Sequence, residues 1–347
     1  MTRIYLDHNA TTPLRDEARA AMIAAMDLCG NPSSVHAEGR AAKSLIEKAR
    51  GQIASAFGAD GQDVIFTSSA TEAAALAMAG RDLQTAGVEH DAVLAWSKGE
   101  LPCDSNGQVA VSEAANSALQ IANSETGILQ TLPEGLALSD MTQGFGKLPL
   151  AFNWAGCQMA MISAHKLGGP KGIGALVVRR GTDIAAQIKG GGQEMGRRSG
   201  TENIIGIAGF AAAAQAAQRD LEAGVWDGVA ALRDRLEARI CDAAPDTVVI
   251  GKGLHRLPNT SCLMTPQWKG ETQVMQMDLA GFAISAGSAC SSGKVKASRV
   301  LLSMGHDASE AASAIRVSLG PQTTKAEVDA FAAAWVTAHN KHRARAA

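Results

Sequence analysis

The sequence predicts an α/β protein built around a largely parallel sheet, together with a smaller α+β domain. Short apolar runs alternate with segments of helical periodicity, which is the pattern of a sheet covered by helices. Aromatic residues make up only 4% of the 347 residues, so small and aliphatic side chains must fill a closely packed core. With 46% apolar and 19% charged residues, the chain is long enough for a large core in two lobes, and disorder, collagen and coiled coil are excluded.

Helices and strands are predicted to alternate along the first half of the chain. Apolar residues recur at helical spacing over residues 15–26 and 33–57. A strand is predicted at 63–67, and an Ala-rich helix follows from about Thr71. The further predicted strands lie at 92–96, 117–122, 136–139, 159–163 and 174–179. Because ligands of parallel sheets bind at the carboxyl ends of the strands, the residues that follow these strands are the candidates for a site.

The pattern changes in the second half of the chain, where long helices and fewer strands are predicted. The predicted elements are a helix over 204–243 interrupted near Gly224, strands at 247–250 and 260–264, a helix at 271–280, and a last helix from about Thr324. We therefore expect a large domain at 13–222 and a small α+β domain that combines 1–12 with 223–347.

Charge and apolar content restrict the class of protein. The chain carries 32 Lys plus Arg against 34 Asp plus Glu, a net charge of −2, so bulk charge predicts neither direct nucleic-acid binding nor a membrane-surface role. No run reaches the roughly 18 consecutive apolar residues of a membrane helix, and the first residues have no apolar signal core. The six cysteines are spread singly, without the spacing of a zinc site. We expect a cytoplasmic protein with free thiols and no metal.

The segment from Ser163 to Gly172 is the strongest candidate for chemistry. A predicted strand ends at Ser163, and His165 and Lys166 then open a Gly-rich turn. A lysine amine confined there, close to other cationic groups, loses basicity and can form a Schiff base with an aldehyde cofactor. A surface lysine before a turn is the alternative interpretation.

The end of the strand at 136–139 carries two groups that suit an aromatic cofactor. Asp140 can pair with a protonated pyridine nitrogen, and Gln143 can donate to a ring oxygen. A helix N-cap is the alternative for Asp140.

An anion site is predicted where the strand at 63–67 leads into the next helix. Over residues 67–72, backbone N–H groups, hydroxyls and the helix dipole converge on the position that favours a phosphate. A capping box formed by Ser68 or Ser69 with Glu72 is compatible with such a site.

Three more residues complete the candidate site. His90, predicted to stand just before a strand, can stack on a flat ring and act as an acid or base near neutral pH. Cys290 lies in a run of small residues that predicts a mobile loop with an available thiol. Arg316, on a predicted strand, offers a fork for a substrate carboxylate, with a structural ion pair as the alternative.

These residues lie within an ordered series of longer segments. The series runs YLDHNATTP, GNPSSVHAEGR, FTSSATEAA, EH, NSETG, DMTQGFGK, SAHKLGGPKGIGALVVRR, GGGQEMGRRSGTEN, LPNT, SAGSACSSG and IRVSLG. With it the chain resembles the pyridoxal 5′-phosphate (PLP)-dependent cysteine desulfurases of the NifS/IscS type, within the class V aminotransferase superfamily. The resemblance implies the PLP-dependent transferase fold of type I and a homodimer with the cofactor near the subunit interface.

The resemblance also implies a role for each candidate. Lys166 would carry the cofactor, Asp140 would pair with the pyridine nitrogen, Gln143 would donate to the ring phenolate, and His90 would stack on the ring. Ala70, Thr71, Ser163 and His165 would hold the phosphate, with Thr201 reaching in from the other subunit. Asn123 and Arg316 would grip the substrate carboxylate, and Cys290 would receive the sulfur.

The implied reaction converts L-cysteine to L-alanine and leaves a persulfide on Cys290, for delivery to an acceptor protein in iron–sulfur cluster assembly or in tRNA or cofactor thiolation. One alternative keeps the cofactor but changes the chemistry, to a selenocysteine lyase or another class V aminotransferase. A second alternative is a non-catalytic subunit used for binding. The presence of Lys166, Asp140, His90, Cys290 and Arg316 together argues against it, since a chain without catalysis has no physical need for all five.

Overall fold

The computed structural model describes residues 3–287 and 297–346. Cys290, the predicted nucleophile, lies outside the described residues. The helices are α1 (Asp16–Met26), α2 (Ala37–Ala56), α3 (Ala70–Met78), α4 (Asp91–Leu94), α5 (Ile204–Glu222), α6 (Val225–Ala243), α7 (Gly270–Leu279), α8 (Arg299–Ser303), α9 (Ala308–Ala311) and α10 (Lys325–Ala346). The strands are β1 (Ile4–Tyr5), β2 (Asp63–Thr67), β3 (Ala118–Gln120), β4 (Leu136–Asp140), β5 (Cys157–Ser163), β6 (Gly174–Val178), β7 (Val248–Val249), β8 (Thr260–Met264), β9 (Phe282–Ala283) and β10 (Ala314–Ser318).

The central sheet has the strand order β2-β6-β5-β4-β3. Strands β3, β4 and β5 pair in parallel, whereas β6 pairs antiparallel with both β5 and β2. Four strands therefore run in one direction and β6 alone runs against them, which agrees with the predicted, mainly parallel sheet. The last residues of β2, β4 and β5 consequently lie at one edge of the sheet. Gly174, the first residue of β6, pairs there with both Thr67 and Ser163.

The sheet is covered by helices on an apolar core. Helices α1 and α2 pack against α5, and Ile53, Phe66, Ile162 and Phe210 are buried in one contiguous cluster. A second cluster joins Leu6 to Trp226, Leu263, Phe331 and Trp335. It covers an antiparallel sheet of order β10-β8-β7, and β1 pairs with β9 nearby. The division into domains at 13–222 and at 1–12 with 223–347 stays a prediction.

Two sequence predictions of local structure need correction. The strand predicted at 92–96 is wrong, because these residues begin as the helix α4. A four-residue apolar run suits a strand or a buried helical turn equally well. The ring of His90 stabilises the start of the helix by accepting a hydrogen bond from the N–H of Ala92 at 3.1 Å. The helix predicted at 33–57 begins only at Ala37, where His36 is the N-cap.

Most other elements lie within a few residues of their predicted bounds. The strands at 63–67 and 260–264 coincide with β2 and β8, and Arg316 lies on β10. The interruption near Gly224 separates α5 from α6, where Gly224 has a φ of 68°. Among the described residues, no helix combines the length and the apolar content needed to cross a membrane.

A buried ion pair connects α6 with the loop before β8. Arg256 donates from Nη1 and Nη2 to the two carboxylate oxygens of Glu237 at 2.8 and 3.0 Å, and the side chains are only 5% and 7% exposed. Ser261 donates a further hydrogen bond to Glu237 at 2.7 Å. The backbone beside Arg256 is hydrogen-bonded to the segment between β3 and β4, since the N–H of Leu257 donates to the carbonyl of Gly127 at 2.7 Å.

We expect Arg256→Met to lower the free energy of unfolding by about 3–5 kcal/mol, because it leaves a carboxylate buried without its cation. The double variant Glu237→Leu/Arg256→Met should recover most of this loss. Arg235→Met, which breaks a more exposed pair with Asp329, is the matched control and should cost much less. Urea unfolding measures all three variants; equal losses for Arg256→Met and Arg235→Met would contradict the prediction.

Candidate active site

A cavity of about 370 Å³ lies at the edge of the sheet where β2, β4 and β5 end. It brings together most of the residues that the sequence predicted for the site. Those that line it are Ala70, Thr71, His90, Asp140, Gln143, Ser163, His165, Lys166 and Arg316.

Lys166 is placed by the end of β5. The strand stops at Ser163, and a single 3₁₀ turn over Ala164–Lys166 carries the chain away from the sheet. The half-buried amine of Lys166 donates to the backbone carbonyls of Asn9 at 2.7 Å and Ala10 at 2.9 Å. Lys166 therefore lies inside the cavity, which contradicts the alternative of a surface lysine.

The start of α3 forms one wall of the cavity. Ser69 caps the helix by accepting from the N–H of Glu72 at 3.3 Å, and the Glu72 carboxylate accepts from the N–H of Ser68 at 2.8 Å. Only half of the predicted capping box is present: Ser69 caps the helix, but the Glu72 carboxylate binds the N–H of Ser68, one residue before the cap. Gly174 allows β6 to pass beneath this helix start, since a Cβ at Gly174 would stand 3.0 Å from the backbone nitrogen of Ala70.

Two side chains from the end of β5 complete this wall. Ser163 is buried, and His165 places its Nδ1 3.2 Å from the hydroxyl of Thr11. Burial, helped by the neighbouring cations Lys166 and Lys171, lowers the pKa of His165 to about 4. The imidazole is therefore neutral near pH 7, and it can donate one N–H to an anion held at the α3 N-terminus.

The end of β4 places Asp140 and Gln143 on the same cavity. The Asp140 carboxylate accepts from the N–H of Thr142 at 2.9 Å, which closes a turn rather than capping a helix. Gln143 donates from Nε2 to the carbonyl of Asn9 at 3.0 Å. Its Oε1 accepts from the amine of Lys147 at 2.7 Å.

His90 is fixed by its place at the start of α4. Because Nδ1 accepts from the N–H of Ala92, the neutral ring carries its proton on Nε2. The ring lines the cavity, so His90 offers a flat surface and a titratable nitrogen, as the sequence predicted.

Arg316 lies in the middle of β10 and is 5% exposed. Its Nη2 donates to Asp7 at 2.7 Å and its Nη1 donates to the carbonyl of Ser124 at 3.1 Å. The ion pair that was the alternative to a substrate role is therefore present. Arg316 also lines the cavity, and its Nε has no hydrogen-bond partner among the described residues. The substrate role stays a prediction.

Two predicted residues of the described chain, Asn123 and Thr201, do not line the cavity. The Oδ1 of Asn123 accepts from the N–H groups of Glu125 and Thr126 at 2.9 Å, and its Nδ2 donates to the carbonyl of Val88 at 3.0 Å. Its amide thus holds a turn. Thr201 lines a separate cavity of about 110 Å³, and Cys290 is outside the described residues. Their assigned roles stay predictions.

The structure adds two buried ionisable residues that sequence reasoning missed. Glu89 is 1% exposed, and burial raises the pKa of its carboxyl well above the usual range. Lys147 is 3% exposed, and burial holds the pKa of its amine well below the usual range. The signal that could have found them was closeness in sequence to predicted site residues: Glu89 directly precedes His90, and Lys147 follows Gln143 by four residues. Among the described residues, no cluster of His, Cys, Asp and Glu could hold a metal.

Comparisons with known proteins place this chain in a family. The model of the aminotransferase class-V family matches residues 4–331. The chain is 39% identical to a cysteine desulfurase of Cereibacter sphaeroides, over 95% of this chain and 94% of the relative. It is 34% identical to the cysteine desulfurase IscS of Dictyoglomus turgidum, over 94% and 92%. The X-ray structure of a NifS-like protein from Rickettsia africae superposes with a TM-score of 0.88 at 32% identity, covering 97% of this chain and 99% of that one.

The chain belongs to the class-V aminotransferase family, with the fold type I architecture of its PLP-dependent members. Within that family it is a member of the cysteine desulfurases of the NifS/IscS type. Both the predicted fold class and the resemblance are confirmed.

Proposed function

We propose that this protein binds PLP in the cavity at the sheet edge and uses it to take sulfur from L-cysteine, which leaves L-alanine and a persulfide on Cys290. The observation that carries the proposal is the cavity itself. This one cavity is lined by a lysine amine, a carboxylate, a histidine ring and a helix N-terminus, which are the four kinds of group that a phosphorylated pyridine aldehyde requires.

The residues fit this cofactor at both ends. For the phosphate, the start of α3 supplies the N–H groups of Ala70 and Thr71, and Ser163 and the neutral His165 add donors. A side chain on Gly174 would crowd this cradle. For the ring, Asp140 supplies a carboxylate and Gln143 an amide N–H. When bound, PLP supplies an aldehyde that links to amines and a ring that accepts the electron pair released at the substrate Cα.

The chain's own residues then carry the proton and sulfur transfers. Arg316 binds the substrate carboxylate through its free N–H groups. We assign the same task to Asn123, whose side chain also holds the adjacent turn. The amine of Lys166, once released from the cofactor, takes the Cα proton. His90, with its proton on Nε2, serves as the acid or base near the substrate.

The Cys290 thiolate attacks the sulfur atom of the substrate. The S–S bond forms as the C–S bond breaks, and the carbon takes up a proton to become the methyl group of alanine. The persulfide is then passed to an acceptor protein, in iron–sulfur cluster assembly or in tRNA or cofactor thiolation. We also infer a cytoplasmic homodimer in which the partner subunit's Thr201 reaches the phosphate.

Anaerobic turnover of L-cysteine by the PLP-loaded protein tests the proposal. With a thiol reductant present, alanine and sulfide should appear in equal amounts. A coloured protein that forms neither product but transfers amino groups to a keto acid would favour another class V aminotransferase. Release of selenide from selenocysteine, with cysteine left intact, would favour a selenocysteine lyase. A protein that stays colourless after PLP is added would indicate a non-catalytic subunit.

A further inference from the structure

The side-chain amide of Gln143 has only one possible orientation. Its nitrogen donates to the backbone carbonyl of Asn9 at 3.0 Å, and its oxygen accepts from the amine of Lys147 at 2.7 Å. A carbonyl can only accept, so the amide nitrogen must face Asn9. An amide nitrogen carries two N–H groups, and Gln143 lines the cavity, which leaves the second N–H for an acceptor there.

Lys147 is buried without an opposite charge beside it among the described residues. The residue is 3% exposed, and among the described residues the charged groups that act on its amine are cations, not carboxylates. Burying a lysine without an opposite charge is costly. The charged and titratable groups that face it are the cations Lys166 and Arg316, together with His8, whose pKa is lowered to about 4 by burial and by Lys147 itself. Among the described residues, the hydrogen bond to Gln143 is the only one that its amine forms.

The turn between the two residues makes the contact short. Lys147 follows Gln143 by four residues, and the N–H of Lys147 donates to the carbonyl of Gly144 at 3.0 Å. This turn brings both side chains to the same side. The contact needs only one N–H on the lysine, and the amine carries N–H groups whether or not it is protonated.

We propose that Lys147 is a positioning residue, which holds the amide of Gln143 so that its free N–H donates to the ring oxygen of PLP. The inference rests on the proposed function and adds a residue to it. A donor at the ring oxygen stabilises the anionic form of that oxygen and makes the cofactor less basic. Loss of the donor should therefore raise the pH at which the visible absorbance of the bound cofactor changes.

Four variants of the PLP-loaded protein test the proposal by absorbance titration. Gln143→Leu should raise the midpoint by about one pH unit, the size expected for one lost hydrogen bond to a charged group. Lys147→Met should raise it by at least about half a unit. Lys147→Gln, which still donates but has no charge, should stay close to the wild type. The double variant Lys147→Met/Gln143→Leu should match Gln143→Leu alone, because both changes remove the same contact.

Two results would overturn the proposal. Additive shifts in the double variant, or a shift in Lys147→Gln as large as that in Lys147→Met, would show that Lys147 acts through its charge. Should Lys147→Met fail to fold, a shift in Lys147→Gln as large as that in Gln143→Leu would overturn the proposal, and the double variant Lys147→Gln/Gln143→Leu should match Gln143→Leu alone. Gln273→Leu is the matched control, since it also removes buried hydrogen bonds, to the carbonyls of Trp268 and Ser313, and it should leave the midpoint unchanged.

A measurement without the cofactor separates this proposal from the proposed function. In the cofactor-free protein, the side-chain amide NMR signal that disappears in Gln143→Leu should move in Lys147→Met and stay close to its position in Lys147→Gln. If the wild-type protein takes up no PLP, the proposed function fails while this signal still reports on the contact. If PLP binds normally and neither the signal nor the midpoint responds to Lys147→Met, only the positioning role fails.

Discussion

Lys166→Ala is expected to reduce L-cysteine turnover by at least about 10⁴-fold, since it removes the amine that carries the cofactor and the base that takes the Cα proton. The phosphate cradle at the start of α3 does not involve this side chain, so the variant should still bind PLP, although without a covalent link. In the wild type, borohydride should fix the cofactor irreversibly on the peptide that contains Lys166.

The matched control for Lys166 is Lys171→Ala. Lys171 lies five residues further along the same Gly-rich turn and is exposed, so its loss should leave both turnover and borohydride fixation close to wild type. Peptide mass spectrometry after reduction identifies the modified lysine. Fixation on Lys147 or on any other lysine would refute the assignment of Lys166, even if the protein were active.

Cys290→Ala is expected to reduce the formation of both alanine and sulfide by at least about 10³-fold, while the absorbance of the bound cofactor stays as in the wild type. The reason is that the substrate C–S bond breaks only when a thiolate accepts the sulfur. In the wild type, one equivalent of L-cysteine without reductant should add the mass of one sulfur atom to the protein. The variant should add none.

Cys29→Ala provides the control for the loss of a thiol. Cys29 is a free, exposed cysteine that does not line the cavity, so its removal should change neither product. If Cys290→Ala were as active as the wild type, Cys290 would not be the sulfur acceptor. Loss of cysteine turnover with selenocysteine turnover retained would indicate that the protein acts as a selenocysteine lyase.

The sequence predicted the parts of the molecule that depend on local pattern. The bounds of β2 and β8 follow from short β-rich runs between polar residues, and the break between α5 and α6 follows from Gly224. The residues after β2, β4 and β5 were identified as candidates because side chains at the carboxyl ends of parallel strands face a common edge. That argument needs only the order of the elements, so it was available from the sequence.

Other features could not be predicted from the local apolar pattern. The run after His90 is apolar enough for a strand, but its backbone bonds, such as that from the N–H of Leu94 to the carbonyl of His90 at 3.1 Å, make it helical. Arg316 was predicted as either a substrate ligand or an ion-pair partner. The fold forms the ion pair, by bringing Asp7 across 309 positions of sequence to its Nη2, and the substrate role stays a prediction.

The sequence by itself determined the fold class, the family and the chemical identity of the site residues, because local periodicity and ordered segments carry that information. Only the tertiary structure decided which groups are buried together. It placed Lys147 against Gln143 without a carboxylate beside it among the described residues, and it left Glu89 in the interior next to His90. The ionisation of such groups depends on the dielectric and the partners around them, and these are set by the packing of distant segments.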